Sequence, residues 1–545
     1  MTAEERREDR PAGGSRAAIV AAGIFASRLA GLIRDRALAH FFGVGGYADV
    51  FRTALRGPNV LQNLLGEGTI SAAFIPVYSR LIEQGRREEA GRLAGAVFSL
   101  LLVLAAVLSL AGILFARPIV SIFAPGFLLD VATPGAVDRF ALAVEAVRII
   151  FPMTGVLVLS AWALGVLNSH RRFLVPYLAP VLWNVSIIAA LVAVSRGAWQ
   201  PESLLLAACW GALAGGALQF LVQLPFVAGV LRGFRPSLSL GVGGVREVLR
   251  AVGPVIAGRG VYQLSAYLDL ALASLLAAGA VAAMGWAATL YLLPVSLFGM
   301  SVAAAELPEL SRRADGGDGY LPRLRRSLEQ MAFAVVPTSV GYLAFGWLIV
   351  GAIYRSGRFT LADNALVALV LAGYTLGLVA TTWSRLLQNA FFALGETVVP
   401  AKIAGLRVGV SALVAVPAML ALDRHGMAEI FGGAAAGSDL RLGALGLALG
   451  SAAGAWVELA ALRRRLAARV GGHFLPLGRA LALAVVAAGA AAPAALTWWL
   501  LAGGPVLLVA PAVVGLYAAL YLAACPALGL GSLRQWLGRV ERGRR

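Results

Sequence analysis

Arginine inside an apolar helix needs something to hold its charge, and this chain places several there. The stretch "SRLAGLIRDR", residues 27–36, ends an apolar run that begins at Ala17 and carries Arg28, Arg34, Asp35 and Arg36. Arg28 and Asp35 are seven apart and share a helical face, and Arg34 lies on the adjoining one. The next apolar segment reads "ADVFRTALRGPNVLQNLLGEG" (48–68). Its Asp49, Arg52 and Arg56 are spaced by three and four, again one face, and Asp49 and Arg52 are near enough to pair. Gly57-Pro58 is expected to interrupt that helix, because proline lacks the N–H and clashes with the preceding turn. Gly66-Glu67-Gly68 is a second soft point. Guanidinium forks beside freed backbone donors suit phosphate oxygens, so the chemistry expected here is capture of an anion.

The second half is less charged. Arg259 and Asp269 are ten apart and do not stack. Asp269 lies inside an apolar run, where a cation or proton site is plausible. Glu306 and Glu309 flank Pro308 and read as interfacial. Arg385 and the pair Glu396-Thr397 follow. No metal site is expected: the four histidines (His40, His170, His425, His473) are scattered, and Cys209 and Cys525 are far apart in apolar segments. Lys402 is the only lysine and follows "VPA", so a P-loop motor in this chain is excluded. The connection 423–441 holds Asp423, His425, Glu429 and Asp439 but is rich in Gly and Ala and reads as a loop. No catalytic residues are expected.

The elements that must position these charges are membrane helices. Of 545 residues 59% are hydrophobic and only 14% charged, against about 25% charged in a soluble domain. Runs of about 20 apolar residues mark spans. Fourteen are expected, near 17–42, 47–80, 90–115, 140–168, 175–195, 203–231, 247–278, 282–311, 327–352, 364–393, 397–421, 440–462, 477–502 and 505–528. The net charge of +18 does not signal nucleic acid, because the arginines fall mostly in alternate short loops. That alternation places both termini in the cytoplasm. "FIPVYSR" (74–80) resembles "ELPELSR" (306–312), and "VP" recurs at 175–176 and 399–400. Two similar six-span bundles with two appended spans would follow, as in transporters built from repeats around a central site. The expected divisions are a cytoplasmic tail (1–16), an N-lobe (17–235), a C-lobe (236–470), spans 13 and 14 (471–530) and a basic tail (531–545).

"SRLAGLIRDRALAHFFG", then "ADVFRTALRGPN", then "GEGTISAAFIPVYSR" resembles the N-terminal signature of the MurJ (MviN) lipid II flippase family, within the multidrug/oligosaccharidyl-lipid/polysaccharide exporter superfamily. "GPVIAGRGVYQLSAYLD" (253–269) and "NAFFALGETVVP" (389–400) are similar to weaker blocks of that family. The resemblance implies an all-α polytopic protein with two six-helix lobes in a V around a cationic cavity. It implies translocation of an undecaprenyl-pyrophosphate-linked disaccharide-pentapeptide, lipid II, to the outer leaflet of the bacterial cytoplasmic membrane for cell-wall synthesis.

Carried onto this chain, the family's cavity residues are Arg28, Arg34, Asp35, Asp49, Arg56 and Glu67. The three arginines would meet the pyrophosphate, and Asp35 and Glu67 would orient arginines or gate. Spans 13 and 14 would form the groove for the polyprenyl tail. Some members hold sodium, which points to Asp269 and, more weakly, Glu396. The driving force would be a Na+ or H+ gradient or the membrane potential, with no bound cofactor. The implied partners are lipid II, membrane lipids and the peptidoglycan synthesis machinery. Two family arginines are replaced, by Gln62 and Thr289, and Arg52 and Arg259 are extra charges that could restore the field. A flippase for an O-antigen-type lipid-linked glycan is the alternative; a membrane glycan polymerase is a more distant one.

Overall fold

The computed structural model describes residues 12–132, 137–197, 200–312, 319–432 and 437–531. The outermost parts of both expected tails lie outside them. Every named element among the described residues is helical, with a lone antiparallel bridge between Gly426 and Arg441. The chain forms two compact units that divide between Leu275 and Leu276.

The first unit contains α1 (Ala12–Phe42), α2 (Gly46–Leu65), α3 (Glu67–Ala73), α4 (Ile75–Glu83), α5 (Arg87–Leu114), α6 (Ala116–Phe123), a 3-10 segment (Pro125–Ala132), α7 (Arg139–Ser169), α8 (Leu174–Ser195), α9 (Pro201–Leu221), α10 (Leu224–Ala228) and α11 (Val245–Ser274). The axis of this unit is α7. Its apolar residues are buried on all sides, Trp162 among them, and its span is 83% buried. Helices α2, α5 and α9 pack around it. Helix α11 belongs to this unit and lies against α3, α2 and the 3-10 segment, to which Ser274 is tied by a hydrogen bond from Gly126 N at 3.0 Å.

The second unit contains α12 (Ala280–Pro294), a π-helical turn (Val295–Met300), α13 (Ser301–Ser311), α14 (Tyr320–Tyr354), α15 (Leu361–Thr375), α16 (Leu378–Ala393), α17 (Val398–Leu422), α18 (Met427–Phe431), α19 (Gly443–Val470), α20 (Leu477–Leu500) and α21 (Val506–Ala527). Its core gathers Phe345, Trp383, Leu328 and Leu462. Outward-facing Leu413, Leu508 and Trp499 are more than 70% exposed, as expected of residues solvated by acyl chains rather than water.

Each expected span corresponds to helix. Among the described residues ten helices are long and apolar enough to cross a membrane, and α15 with α16, bent by 42°, makes an eleventh. The other three expected spans are α1, α2–α4 and α11, the helices in which the sequence places most of its site charges.

Two helix pairs are packed backbone to backbone along small residues. On α19 a Cβ at Gly446 would meet Met419, one at Gly450 would meet Ala415 and one at Gly454 would meet Ser411, all closer than 2.7 Å. Each step of four forward on α19 is a step of four back on α17, so the pair is antiparallel with one register. The pair α8 and α9 repeats the arrangement: Gly211 abuts Ile187 and Gly215 abuts Trp183, at 3.0 and 2.8 Å.

The expected break at Gly57-Pro58 is absent. Helix α2 continues through Pro58 to Leu65, because within a packed unit neighbouring groups compensate the lost backbone bond. The interruption comes at Gly66 (φ −84°, ψ −137°), where a Cβ would lie 2.4 Å from the Gln62 carbonyl oxygen. A side chain there would strike that carbonyl, and α3 restarts at Glu67.

Candidate functional site: an arginine-lined cavity in the first unit

Small residues bring α1 against α8. A Cβ on Gly23 would sit 2.7 Å from that of Tyr177, and Gly31 faces Asn184. The close approach at Gly23 and the contact at Gly31 deliver the charged end of α1 to the middle of α8. There the Arg34 guanidinium donates from Nη1 to Asn184 Oδ1 at 3.0 Å and from Nη2 to Asp35 Oδ1 at 2.7 Å. It lies over the Trp183 ring at 4.9 Å. Asp35 is 3% exposed, and its second oxygen is 3.6 Å from Arg52 Nη2 of α2. One buried carboxylate thus sits between two arginines on different helices.

These groups border a cavity of about 430 Å³ between α1, α2, α7, α8 and α9. Arg28 and Arg34 supply its charge; Asn59, Gln62 and Gln219 supply amides; Tyr177 and Trp183 supply aromatic faces. Among the described residues no carboxylate lines it. The lining suits an anion attached to a polar, uncharged body. Gln62, where the resemblance implied an arginine, lies in this wall. Thr289 is in the second unit and turns its hydroxyl to the Gly285 carbonyl at 3.0 Å.

The remaining expected residues are distributed as follows. Arg56 is half-buried on α2, one turn beyond Arg52. Asp49 is tied to Arg139. It is fully buried and accepts from Arg139 Nη1 at 3.1 Å, while Arg139 also donates to Asp130 from Nη2 at 2.7 Å and covers the Phe127 ring at 4.6 Å. This cluster is a structural tie between the start of α7 and the start of α2. The side chains of Glu67 and Arg259 lie outside the described residues. Asp269 is half-exposed on α11. Glu396 caps α17, accepting from Val398 N and Val399 N at 3.2 and 3.3 Å, and pairs with Arg469 at 3.2 Å. Among the described residues no group of three or more His, Cys, Asp or Glu side chains could hold a metal ion.

Reading charges alone missed several residues. Asn184 is 3% exposed in "LVPYLAPVLWNVSIIAALVAVS", and an amide alone in an apolar span is the signal that would have found it. Glu458 on α19 is 1% exposed and accepts from Arg407 Nη1 of α17 at 2.7 Å and Gln388 Nε2 of α16 at 2.8 Å. Glu306, expected at an interface, is 7% exposed and held by Arg323 through two bonds of 2.7 and 3.1 Å.

Comparison with known proteins gives the family. The model of the family described as lipid II flippase MurJ matches residues 38–505. The lipid II flippase MurJ of Burkholderia cenocepacia is 34% identical over 384 residues, covering 69% of this chain and 73% of that protein. The probable lipid II flippase MurJ of Bdellovibrio bacteriovorus is 32% identical over 405 residues, covering 73% and 75%. Among solved structures, a lipid II flippase MurJ in an inward closed conformation superposes with a TM-score of 0.70 at 20% identity, covering 93% of this chain and 99% of that one. An inward-facing multidrug MATE transporter gives 0.59 at 18% identity, covering 81% and 95%. These two likenesses concern the fold. With a family model matched over most of its length, the chain belongs to the lipid II flippase MurJ family.

Proposed function

We propose that this protein is a lipid II flippase of the bacterial inner membrane, moving the undecaprenyl-pyrophosphate-linked peptidoglycan precursor from the inner to the outer leaflet by alternating access. Family membership supports the substrate. The observation that carries the mechanism is the cavity bounded by Arg28 and Arg34 with no carboxylate among the described residues of its wall. Moving a bare ion from water into a medium like the bilayer core costs of order 20 kcal/mol. Guanidinium groups held inside the unit offset that cost by replacing water around the pyrophosphate. Asp35 holds Arg34 and Arg52 in place until the anion arrives. The protein makes and breaks no covalent bond.

A second cavity, of about 350 Å³, lies between α14 and α21 and is walled by Phe333, Phe345, Tyr517 and Leu522. Tyr517 and Tyr521 spend their hydroxyls on the Pro337 and Phe333 carbonyls, at 2.6 and 2.8 Å, and turn ring surface to the space. This supports the reading of the last two spans as the seat of the polyprenyl tail. The alternating arginine loops support both termini in the cytoplasm and fourteen spans, with the membrane potential or a cation gradient as driving force.

The test is depletion of the resident flippase in a cell rescued by this chain, reading outer-leaflet lipid II directly, with wild type and Arg28→Ala at matched membrane levels. Rescue by wild type and failure by the variant is expected. No rescue by well-expressed wild type overturns lipid II as substrate and transfers the reading to another lipid-linked glycan, with Gln62 and Thr289 as the determinants to exchange first.

A further inference from the structure

Trp183 and Asn184 are consecutive residues of α8, and both address the same guanidinium. Asn184 Oδ1 accepts from Arg34 Nη1 in the guanidinium plane at 3.0 Å, while its Nδ2 donates to the Pro180 carbonyl at 3.0 Å. The amide is thereby fixed: its nitrogen faces a carbonyl, and its oxygen faces the cation. Trp183 lies against the guanidinium face at 4.9 Å, and its own Nε1 is anchored on Met153 Sδ at 3.1 Å. Asp35 Oδ1 accepts from Nε and Nη2 on the opposite edge, at 3.1 and 2.7 Å. Three of the five N–H groups of Arg34 are thus engaged. Among the described residues no partner takes the other two, one on each terminal nitrogen. Arg34 borders the cavity and keeps 17% of its side chain exposed.

The geometry points to Asn184 and Trp183 as positioning residues: they fix the plane of Arg34 so that both remaining N–H groups meet two oxygens of one phosphoryl group. The physical reason is specific to arginine. Its side chain carries about 2 kcal/mol of rotamer entropy, and a fork bonds two oxygens only when its plane is set. An aromatic face and an in-plane acceptor fix that plane without neutralising the charge. A second carboxylate in Asn184's place would hold the plane equally well but would compete with the ligand for the field. This inference rests on the flippase reading and names the part of the substrate that Arg34 takes, the pyrophosphate rather than the sugar or peptide.

The experiment measures binding to the purified full-length protein in nanodiscs, with lipid II, undecaprenyl pyrophosphate and undecaprenol as probes and thermal unfolding as a check on folding. Asn184→Ala should weaken both pyrophosphate lipids by about tenfold, the loss of one hydrogen bond to a charged group, and leave undecaprenol unchanged. Trp183→Phe, which keeps a π face, should bind close to wild type, and Trp183→Leu should not. In an Arg34→Ala background Asn184→Ala should cost nothing further. An equal loss with and without Arg34, or an equal loss for undecaprenol, overturns the assignment, because Asn184 then acts through the fold. Normal affinity in Asn184→Ala and Trp183→Leu also overturns it. Wild type that binds neither pyrophosphate lipid overturns the flippase reading itself.

Discussion

Arg407 and Glu458 close an ion pair of 2.7 Å that lies one step further along the ladder of α17 and α19. The steps run Gly446 on Met419, Gly450 on Ala415, Gly454 on Ser411, and then Glu458 on Arg407. The charges continue the same register, and Gln388 joins α16 to them. With a 2% exposed Glu458 side chain, this pair is a stability determinant of the second unit and distant in sequence from every residue expected to bind substrate.

Removing one partner of that pair should be costly and removing both should not. Glu458→Leu removes the buried carboxylate that Arg407 and Gln388 share and should lower stability by about 3 kcal/mol or more, whereas Arg407→Leu with Glu458→Leu should recover most of the loss. Thermal unfolding in detergent of the two single variants and the double variant checks this. Equal melting temperatures in the single and double variants would contradict it.

The glycines of the same seam should be intolerant in proportion to their contacts. Gly450→Leu drives a side chain into the α17 backbone at Ala415 and should destabilise by about 1–3 kcal/mol. Gly405→Ala and Gly409→Ala meet nothing within 4 Å and should be neutral or stabilising by up to about 1 kcal/mol through helix propensity. Membrane abundance and melting temperature of the three variants decide the matter.

Asp49 and Arg28 should fail differently. Asp49→Ala strips the buried Arg139 of one acceptor and should cost about 3 kcal/mol, seen as reduced abundance with normal substrate affinity in the protein that remains. Arg28→Ala should leave abundance intact and lower lipid II binding. Quantitative membrane blots beside binding curves separate the two.

Stability should fall in mild acid because of His170, in the turn after α7. Burial, reinforced by repulsion from Arg172 and Arg87, pushes its imidazole below the ordinary value, and its Nε2 lies 3.1 Å from the Tyr78 hydroxyl. The unfolded chain takes up a proton near pH 6.5, and the folded chain only at lower pH. Its contribution is therefore complete above pH 6.5 and is lost as the pH falls through the folded value. Melting curves between pH 8 and pH 5 should show the decline, and His170→Gln should flatten that part of the profile.

The helical class and the positions of the helices were legible in the sequence because apolar length is a property of the chain itself. The residues of α1 and α2 that carry charge were legible for the same reason: a charge inside an apolar run stands out wherever the helix packs. Pairing was not legible. Asp49 bonds Arg139, ninety residues on, and Arg52 of α2 meets Asp35 of α1. Asn184 stands out in the sequence as an amide in an apolar span, but its partner, and the roles of Trp183, Arg407 and Glu458, emerged only once α8 met α1 and α19 met α17. Helical periodicity gives each side chain a face but no partner. The partner is chosen by which backbones can approach, and here that is decided by glycines such as Gly23, Gly450 and Gly454, whose importance lies in what a side chain there would strike on a neighbouring helix.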